Sequence, residues 1–280
     1  MFLKHLINPK PSIIIFFVVF CFFYALLPLT KSKLSLLFSH YLLNPLVVLS
    51  FSFFIPFFLS TGLNNIIYEK NIIRKENLVI GVVFILLSSP FVNTPEVWVS
   101  GFLLLFVFNF LMNTYQKDLA FAQFYNASFL LSLITYLHPN MIFLTSLFII
   151  NGINYSNINW RIIITILLGF ITPYLFLATT LFLLNKPFNL PEFFNLSFID
   201  IKLYIGLCYS QKTWIILILI ITFLSFFELF NWLYKKSIKS RKTFMTIIWF
   251  LFLTLLITVF SGWYYIYFSL IPLTVIVSNY

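Results

Sequence analysis

Charge is the scarcest commodity in this chain. Of 280 residues, 9% are Asp, Glu, Lys or Arg and 61% are hydrophobic, and mean hydropathy is +1.02. A soluble domain carries about 25% charged and about 45–50% apolar residues. A soluble core of this size could not hide so much apolar surface, so lipid must take the excess. Glycine is also rare, at seven residues. Membrane helices usually approach one another through small residues, so packing here is expected to rely on interlocked Phe, Leu and Ile. The two cysteines, Cys21 and Cys208, lie far apart and form no metal-ligand spacing, and no disulfide is expected. The three histidines, His5, His40 and His138, fall on three different loops. That excludes a multi-histidine metal site and a His-Glu-x-x-His zinc helix. A Gly-rich phosphate loop and a Gly-x-Ser-x-Gly elbow are both missing. No metal, no cofactor and no catalytic residue is therefore expected.

What the chain does have is basic and aromatic. Its 17 Lys and Arg outweigh seven acids, for a net charge of +10. The basic residues sit in short loops between apolar runs, with five at Lys235, Lys236, Lys239, Arg241 and Lys242. This pattern follows the positive-inside rule rather than nucleic-acid binding. The 39 Phe and 15 Tyr, beside frequent Ile, Asn and Lys, fit drift toward AT-rich codons better than a ligand box. No linker divides the chain, so one domain is expected.

The predicted fold is all-α, a polytopic transmembrane helix bundle in one integral membrane domain over 1–280. Ten spans are read near 11–27, 42–59, 78–92, 98–112, 119–137, 141–150, 161–184, 214–233, 244–260 and 263–277. The first is read as an uncleaved span, since no Ala-x-Ala site follows it. Several are short: about 15 residues reach about 22 Å, less than the roughly 30 Å hydrocarbon core. The run 141–150 is shorter still, and the polar, uncharged stretch 151–159 reads as a loop. Pro191 and Glu192 open an amphipathic surface helix around 193–203. Trp263, Tyr264, Tyr265 and Tyr267 are expected at the membrane interface.

Topology follows from where the cations fall. If 141–150 counts as a crossing, one side holds Lys4, Lys10, Lys70, Arg74, Lys75, Lys117, Arg161 and the five cations of 235–242, while Lys31, Lys33, Lys186, Lys202 and Lys212 lie opposite. If it does not, everything after it inverts and the bias nearly vanishes. The positive-inside rule therefore predicts ten crossings, both termini in the cytoplasm and the surface helix on the periplasmic side.

Candidate functional residues are few. Arg161 follows Trp160 at the start of a long helix, and two readings are open. Its guanidinium could grip a lipid phosphate, or the pair could anchor the helix at headgroup level. Gln123 and Asn126, three apart, form a polar stripe on one helix face. His138, before Pro139, reads either as a base or, with no acid or nucleophile nearby, as a turn residue. Glu228 is the acid inside a confidently read span. It suits a proton relay or cation site, or an interfacial position beside Asn231 and Lys235.

The central stretch carries a resemblance. Phe124-Tyr125-Asn126, Leu137-His138-Pro139, Asn159-Trp160-Arg161 and Gly169-Phe-Ile-Thr172-Pro173-Tyr174 resemble an uncharacterised flavobacterial family of multi-spanning inner-membrane proteins, a domain of unknown function. The resemblance covers most of the chain and implies a bacterial inner-membrane location with no known activity. The label of carotene oxygenase sometimes attached to that family implies iron held by four histidines, and this chain has three. A weaker likeness is to polytopic glycosyltransferases that use lipid-linked sugars. Their catalytic acid lies in the first external loop, and the corresponding stretch here, 28–41, contains no Asp or Glu. The first expectation is a non-enzymatic membrane subunit supporting envelope assembly or a lipid-linked pathway. Its partners would be the lipid bilayer and other membrane-protein subunits, with no nucleic acid. The alternatives are an atypical lipid-linked-sugar glycosyltransferase, for which an external groove carrying Glu96, Glu192 or Asp200 would speak, and a transporter.

Overall fold

Proline sets where several helices begin. Its fixed φ suits the first helical position, where its missing N–H costs nothing. In the computed structural model, helices open on Pro11, Pro45 and Pro95, and a 3-10 segment opens on Pro139. The structure describes residues 6, 9, 11–30, 45–69, 78–90, 95–117, 119–187, 191, 209–262 and 265–278. Among these there are ten α-helices and no strand: α1 Pro11–Thr30, α2 Pro45–Glu69, α3 Val79–Ser88, α4 Pro95–Met112, α5 Phe121–Leu137, α6 Thr145–Tyr155, α7 Trp160–Leu183, α8 Tyr209–Leu233, α9 Ile238–Ser261 and α10 Ile266–Val277. The 3-10 segment, Pro139–Leu144, lies between α5 and α6. Two helices end on a left-handed polar residue, Ser156 or Asn185, Gln116 is left-handed in the turn after α4, and Gly262 at φ 115° turns the chain from α9 into α10.

The all-α expectation holds. Four stretches are long and apolar enough to cross a membrane: Ser50–Glu69, Trp160–Leu183, Gln211–Asn231 and Ile238–Ser261. Their outer faces are broad and apolar. On α7, Leu167, Leu168, Ile171, Leu175 and Phe176 are exposed, and on α8 so are Leu219, Ile220, Phe223 and Phe227. Surfaces of this kind face lipid, and this is a helical membrane protein.

Several boundaries differ from the sequence reading. α2 runs ten residues past the expected end at 59, because Leu63, Ile66 and Ile67 in the added turns are buried in the core; Asn65 Nδ2 also donates to Glu69 Oε1 at 2.9 Å, one turn on. α3 is 10 residues long, shorter than the expected 78–92. α9 begins at Ile238 rather than 244, so Lys239, Arg241 and Lys242 are helical and not in a loop. Ser237 caps it, its hydroxyl accepting from the Ser240 N–H at 3.4 Å.

The largest correction concerns 141–150. The ordered segment is a 3-10 turn of 6 residues followed by an α-helix of 11, which continues through most of the expected loop 151–159. At about 2.0 and 1.5 Å per residue this reaches about 28 Å, close to the hydrocarbon thickness. Polarity had suggested a loop; Asn151 and Asn154 are instead helical and hydrogen-bonded across the bundle. The surface helix around 193–203, with Glu192 and Asp200, lies outside the described residues.

The helices alternate between two ends of the bundle. Thr114, after α4, bonds with Asn151 and Asn157 at the end of α6, and Asn154 bonds with Lys242 in the first turns of α9. These elements share one end. At the other, Gln211 and Trp214 of α8 donate to the carbonyls of Pro90 and Leu87 after and within α3. The His138 ring meets Tyr265 and Phe268 at the start of α10 there. α10 occupies the middle, packed by α3, α4, α8 and α9, and is buried from Ile266 to Ile276. Large rings fill the core as the composition implied, with Phe108 stacked on Phe250 at 5.6 Å and Phe84 edge-on to Tyr267 at 5.8 Å. Tyr267, expected at the interface, is fully buried.

Candidate functional site

The polar groups that sink deepest at one end form a knot between α4, α6 and α9. Asn151 is fully buried. Its Nδ2 donates to the Leu111 carbonyl at 3.2 Å and to Thr114 Oγ1 at 3.0 Å, while its Oδ1 accepts from Thr246 Oγ1 at 3.0 Å. Asn154 Nδ2 donates to the Lys242 carbonyl at 2.7 Å and to Thr246 at 3.2 Å. Asn157 Nδ2 donates to the Thr114 carbonyl at 2.9 Å. Such amide bonds act as glue between helices that gain nothing from burying more apolar surface in lipid. Sequence reading missed this site. The spacing of Asn151 and Asn154, three apart and so on one helical face, was the available signal.

The knot lies under a basic rim. Its end of the bundle collects Lys117, Arg161, Lys235, Lys236, Lys239, Arg241 and Lys242 from the ends of α4, α7, α8 and α9. Trp160 is 67% exposed, and the exposed Arg161 guanidinium lies 5.7 Å from the centroid of its indole. The indole face thus holds the cation at the rim without covering it. Gln123, partly buried, and Asn126, exposed, lie in the first turns of α5 at this same end. Glu228 is exposed on the outer face of α8, in the last two turns of that helix. Five of the six residues singled out by sequence therefore share one end.

α5 and α7 run parallel from this end, and their seam is built by the Gly169–Tyr174 motif. A Cβ on Gly169 would lie 2.7 Å from the Tyr125 carbonyl oxygen and would overlap Ser128 Oγ. The Tyr125 hydroxyl donates to Thr172 Oγ1 at 3.3 Å, and Thr135 and Tyr174 share a hydrogen bond at 2.9 Å. Pro173 is buried in the same seam. The motif is thus a packing device at its core.

His138 sits at the opposite end. It is 4% exposed, with its ring edge-on to Tyr265 at 5.8 Å and Phe268 at 5.4 Å. It is also hydrogen-bonded to the backbone of Glu96, in the first turn of α4. Burial pushes its pKa down from 6.5 to about 4, the Glu96 backbone opposing this only in part. The folded protein therefore holds the neutral ring, whereas the unfolded chain takes up a proton near pH 6.5. The associated stability is complete above pH 6.5 and is lost as pH falls toward 4, in total about 3 kcal/mol. His138→Phe should flatten this part of the melting-temperature profile between pH 7.5 and 4.5. A variant with the same acid sensitivity as the parent would contradict the assignment.

Two apolar grooves flank the second half of α9. One, about 400 Å³, is lined by residues that include Phe143, Ser146, Leu253 and Phe260. The other, about 260 Å³, lies between α8, α9 and α10 beside Leu219, Leu255 and Leu270. Hydroxyls at both grooves are bonded to their own helices, Ser146 to the Phe143 carbonyl and Ser269 to the Ile266 carbonyl. No family model, curated protein or solved structure matches the chain. Among the described residues no group of three or more His, Cys, Asp or Glu is placed to hold a metal ion.

Proposed function

We propose that the protein is a ten-span, non-enzymatic subunit of the bacterial inner membrane that supports envelope assembly or a lipid-linked pathway. Both termini are cytoplasmic, the basic rim lies against the cytoplasmic leaflet, and anionic lipid headgroups bind there at Trp160 and Arg161. The observation that carries this reading is the gathering of seven cations from four helix ends over a knot of uncharged amides. Juxtamembrane cations of this density attract anionic lipid, each contributing about 1 kcal/mol near the surface. A planar guanidinium over an indole presents its donor fork to a phosphate. The location in a bacterial inner membrane rests on the resemblance of the central stretch.

Native mass spectra of the detergent-purified protein test the lipid site. Arg161→Ala should retain the least anionic lipid, Arg161→Lys an intermediate amount, since charge survives but the fork does not. Equal lipid content in all three forms would refute the site. A second reading, an atypical lipid-linked-sugar glycosyltransferase, is favoured by one observation. Glu96 and His138, joined through the Glu96 backbone, lie together at the end assigned to the periplasm. Transfer activity abolished by Glu96→Gln would replace the first reading with this one.

A further inference from the structure

The larger groove, about 400 Å³, separates Ile142, Phe143 and Ser146 from Leu253, Leu256 and Phe260 of α9. Its origin lies in how the two sides are joined. α6 and α9 run antiparallel and are tied at the basic end, where Asn151 and Asn154 bond with Thr246 and with the Lys242 carbonyl. Toward the other end the hydroxyls turn back on their own segment. Thr145 donates to the Ile142 carbonyl and Ser146 to the Phe143 carbonyl, both at 2.7 Å, so neither ties the two sides together.

The groove lies within the hydrocarbon. Leu253 to Phe260 belong to the last third of the membrane-crossing stretch Ile238–Ser261, in the leaflet opposite the basic rim. It also opens sideways onto the lipid-facing surface. On α6, Ile149 and Ile153 are 47% and 63% exposed and share the face of Ser146. On α9, the exposed Trp249 and Phe252 lead up to Leu256, itself exposed. The groove is thus a recess in an apolar surface that lipid already covers. Its volume falls in the range of about 300–1,000 Å³ that holds whole small ligands. Left empty, its lining would forfeit dispersion contacts along its length. Water is a poor filler, because the hydroxyls there are already spent and apolar cavities stay dry. The fitting occupant is slim, flexible and without polar groups along its length.

We propose that this groove is a binding site for one acyl chain of a bilayer phospholipid, whose headgroup stays at the membrane surface beyond Phe260. The site is separate from the rim at Trp160 and Arg161. It selects its ligand by the hydrocarbon tail, whereas the rim selects by headgroup charge.

Dioleoylphosphatidylcholine added to the detergent-purified protein tests this, because its headgroup has no net charge for the rim to attract. A ligand that binds the folded state raises the melting temperature, and a rise of a few degrees is expected. Ser146→Phe fills the groove and breaks no bond between helices. It should lose most of that rise and retain one phospholipid fewer in native mass spectra. Thr145→Leu fills less of the groove and should lose part of the rise; it also serves if Ser146→Phe does not accumulate. Arg161→Ala should keep the full rise, so that loss of the rim site and loss of the groove are read separately. A parent that phosphatidylcholine does not stabilise would overturn the proposal, as would an equal rise in the parent and both filled variants. So would a dimer in the parent spectra that Ser146→Phe dissolves, which would give the groove to a second copy of the chain.

Discussion

Gly169→Val is expected to unseat α7 from the bundle and to lower the melting temperature in detergent by about 10 °C, or to prevent accumulation of the protein. In an isolated helix, replacing glycine gains up to about 1 kcal/mol for Ala and less for a β-branched residue. Here that gain is overwhelmed. The new Cβ would lie 2.7 Å from the Tyr125 carbonyl oxygen, a backbone atom that cannot swing aside. Overpacking of this kind costs about 1–3 kcal/mol for a methyl and more for a branched side chain. α7 packs chiefly on α5, and its buried residues are Ile162, Ile166, Gly169 and Pro173. Moving the helices apart at Gly169 therefore loosens the whole seam, including the Thr135–Tyr174 hydrogen bond. Gly169→Ala should show a smaller loss of the same sign. Adding Ser128→Gly to Gly169→Ala should recover part of it, since one of the two clashes is removed. An alanine variant as stable as the parent would show that the seam is not this tight.

Asn151→Leu is expected to cost about 2–4 kcal/mol. Three hydrogen bonds disappear together, to Leu111, to Thr114 and from Thr246, at 3.2, 3.0 and 3.0 Å. Interhelical bonds in membrane proteins average about 0.6 kcal/mol and reach about 1.7. Three such bonds together give that range, while the Thr114 hydroxyl and the Leu111 carbonyl stay bonded to each other at 2.7 Å. Leucine has a similar branched shape but recovers little, because leaving lipid for an apolar core gains almost nothing. The check is a double-mutant cycle of Asn151→Leu with Thr246→Val, followed by equilibrium unfolding. A coupling of about 1 kcal/mol is expected, since the two residues share a bond. Independent, additive losses would argue against a connected knot.

The sequence announced the helices better than it announced their contacts. The span expected at 161–184 stands at Trp160–Leu183, because a long apolar run flanked by Asn159 and Asn185 has few alternatives. The polarity of Asn151 and Asn154 suggests a loop, whereas both are helical and hydrogen-bonded across the bundle. Their partners, Thr114 and Thr246, are 37 and 92 residues distant respectively, and no local pattern foretells such a pairing. Which face of a helix is buried was equally hidden. Leu270 on α10 is inside and Leu168 on α7 is outside, yet both are leucines in apolar surroundings, since lipid and protein interior select the same side chains. The motif 169–174 carries the resemblance. Its physical reason, a glycine under a neighbouring carbonyl, needed the packed pair of helices to be seen. Among the candidate residues, the common end of Trp160, Arg161, Gln123, Asn126 and Glu228 follows from alternating helix directions once 139–155 is given its full length.

That full length is the centre of the account, and cysteine labelling tests it directly. Single cysteines would be placed at Lys117, Ser156, Lys186 and Lys239 in a background without Cys21 and Cys208, and intact cells exposed to a membrane-impermeant thiol reagent. If 139–155 carries the chain from one face to the other, Lys117→Cys, Ser156→Cys and Lys239→Cys stay protected until the cells are opened, and Lys186→Cys reacts at once. Labelling of Ser156→Cys and Lys239→Cys in intact cells, with Lys117→Cys protected, would contradict it.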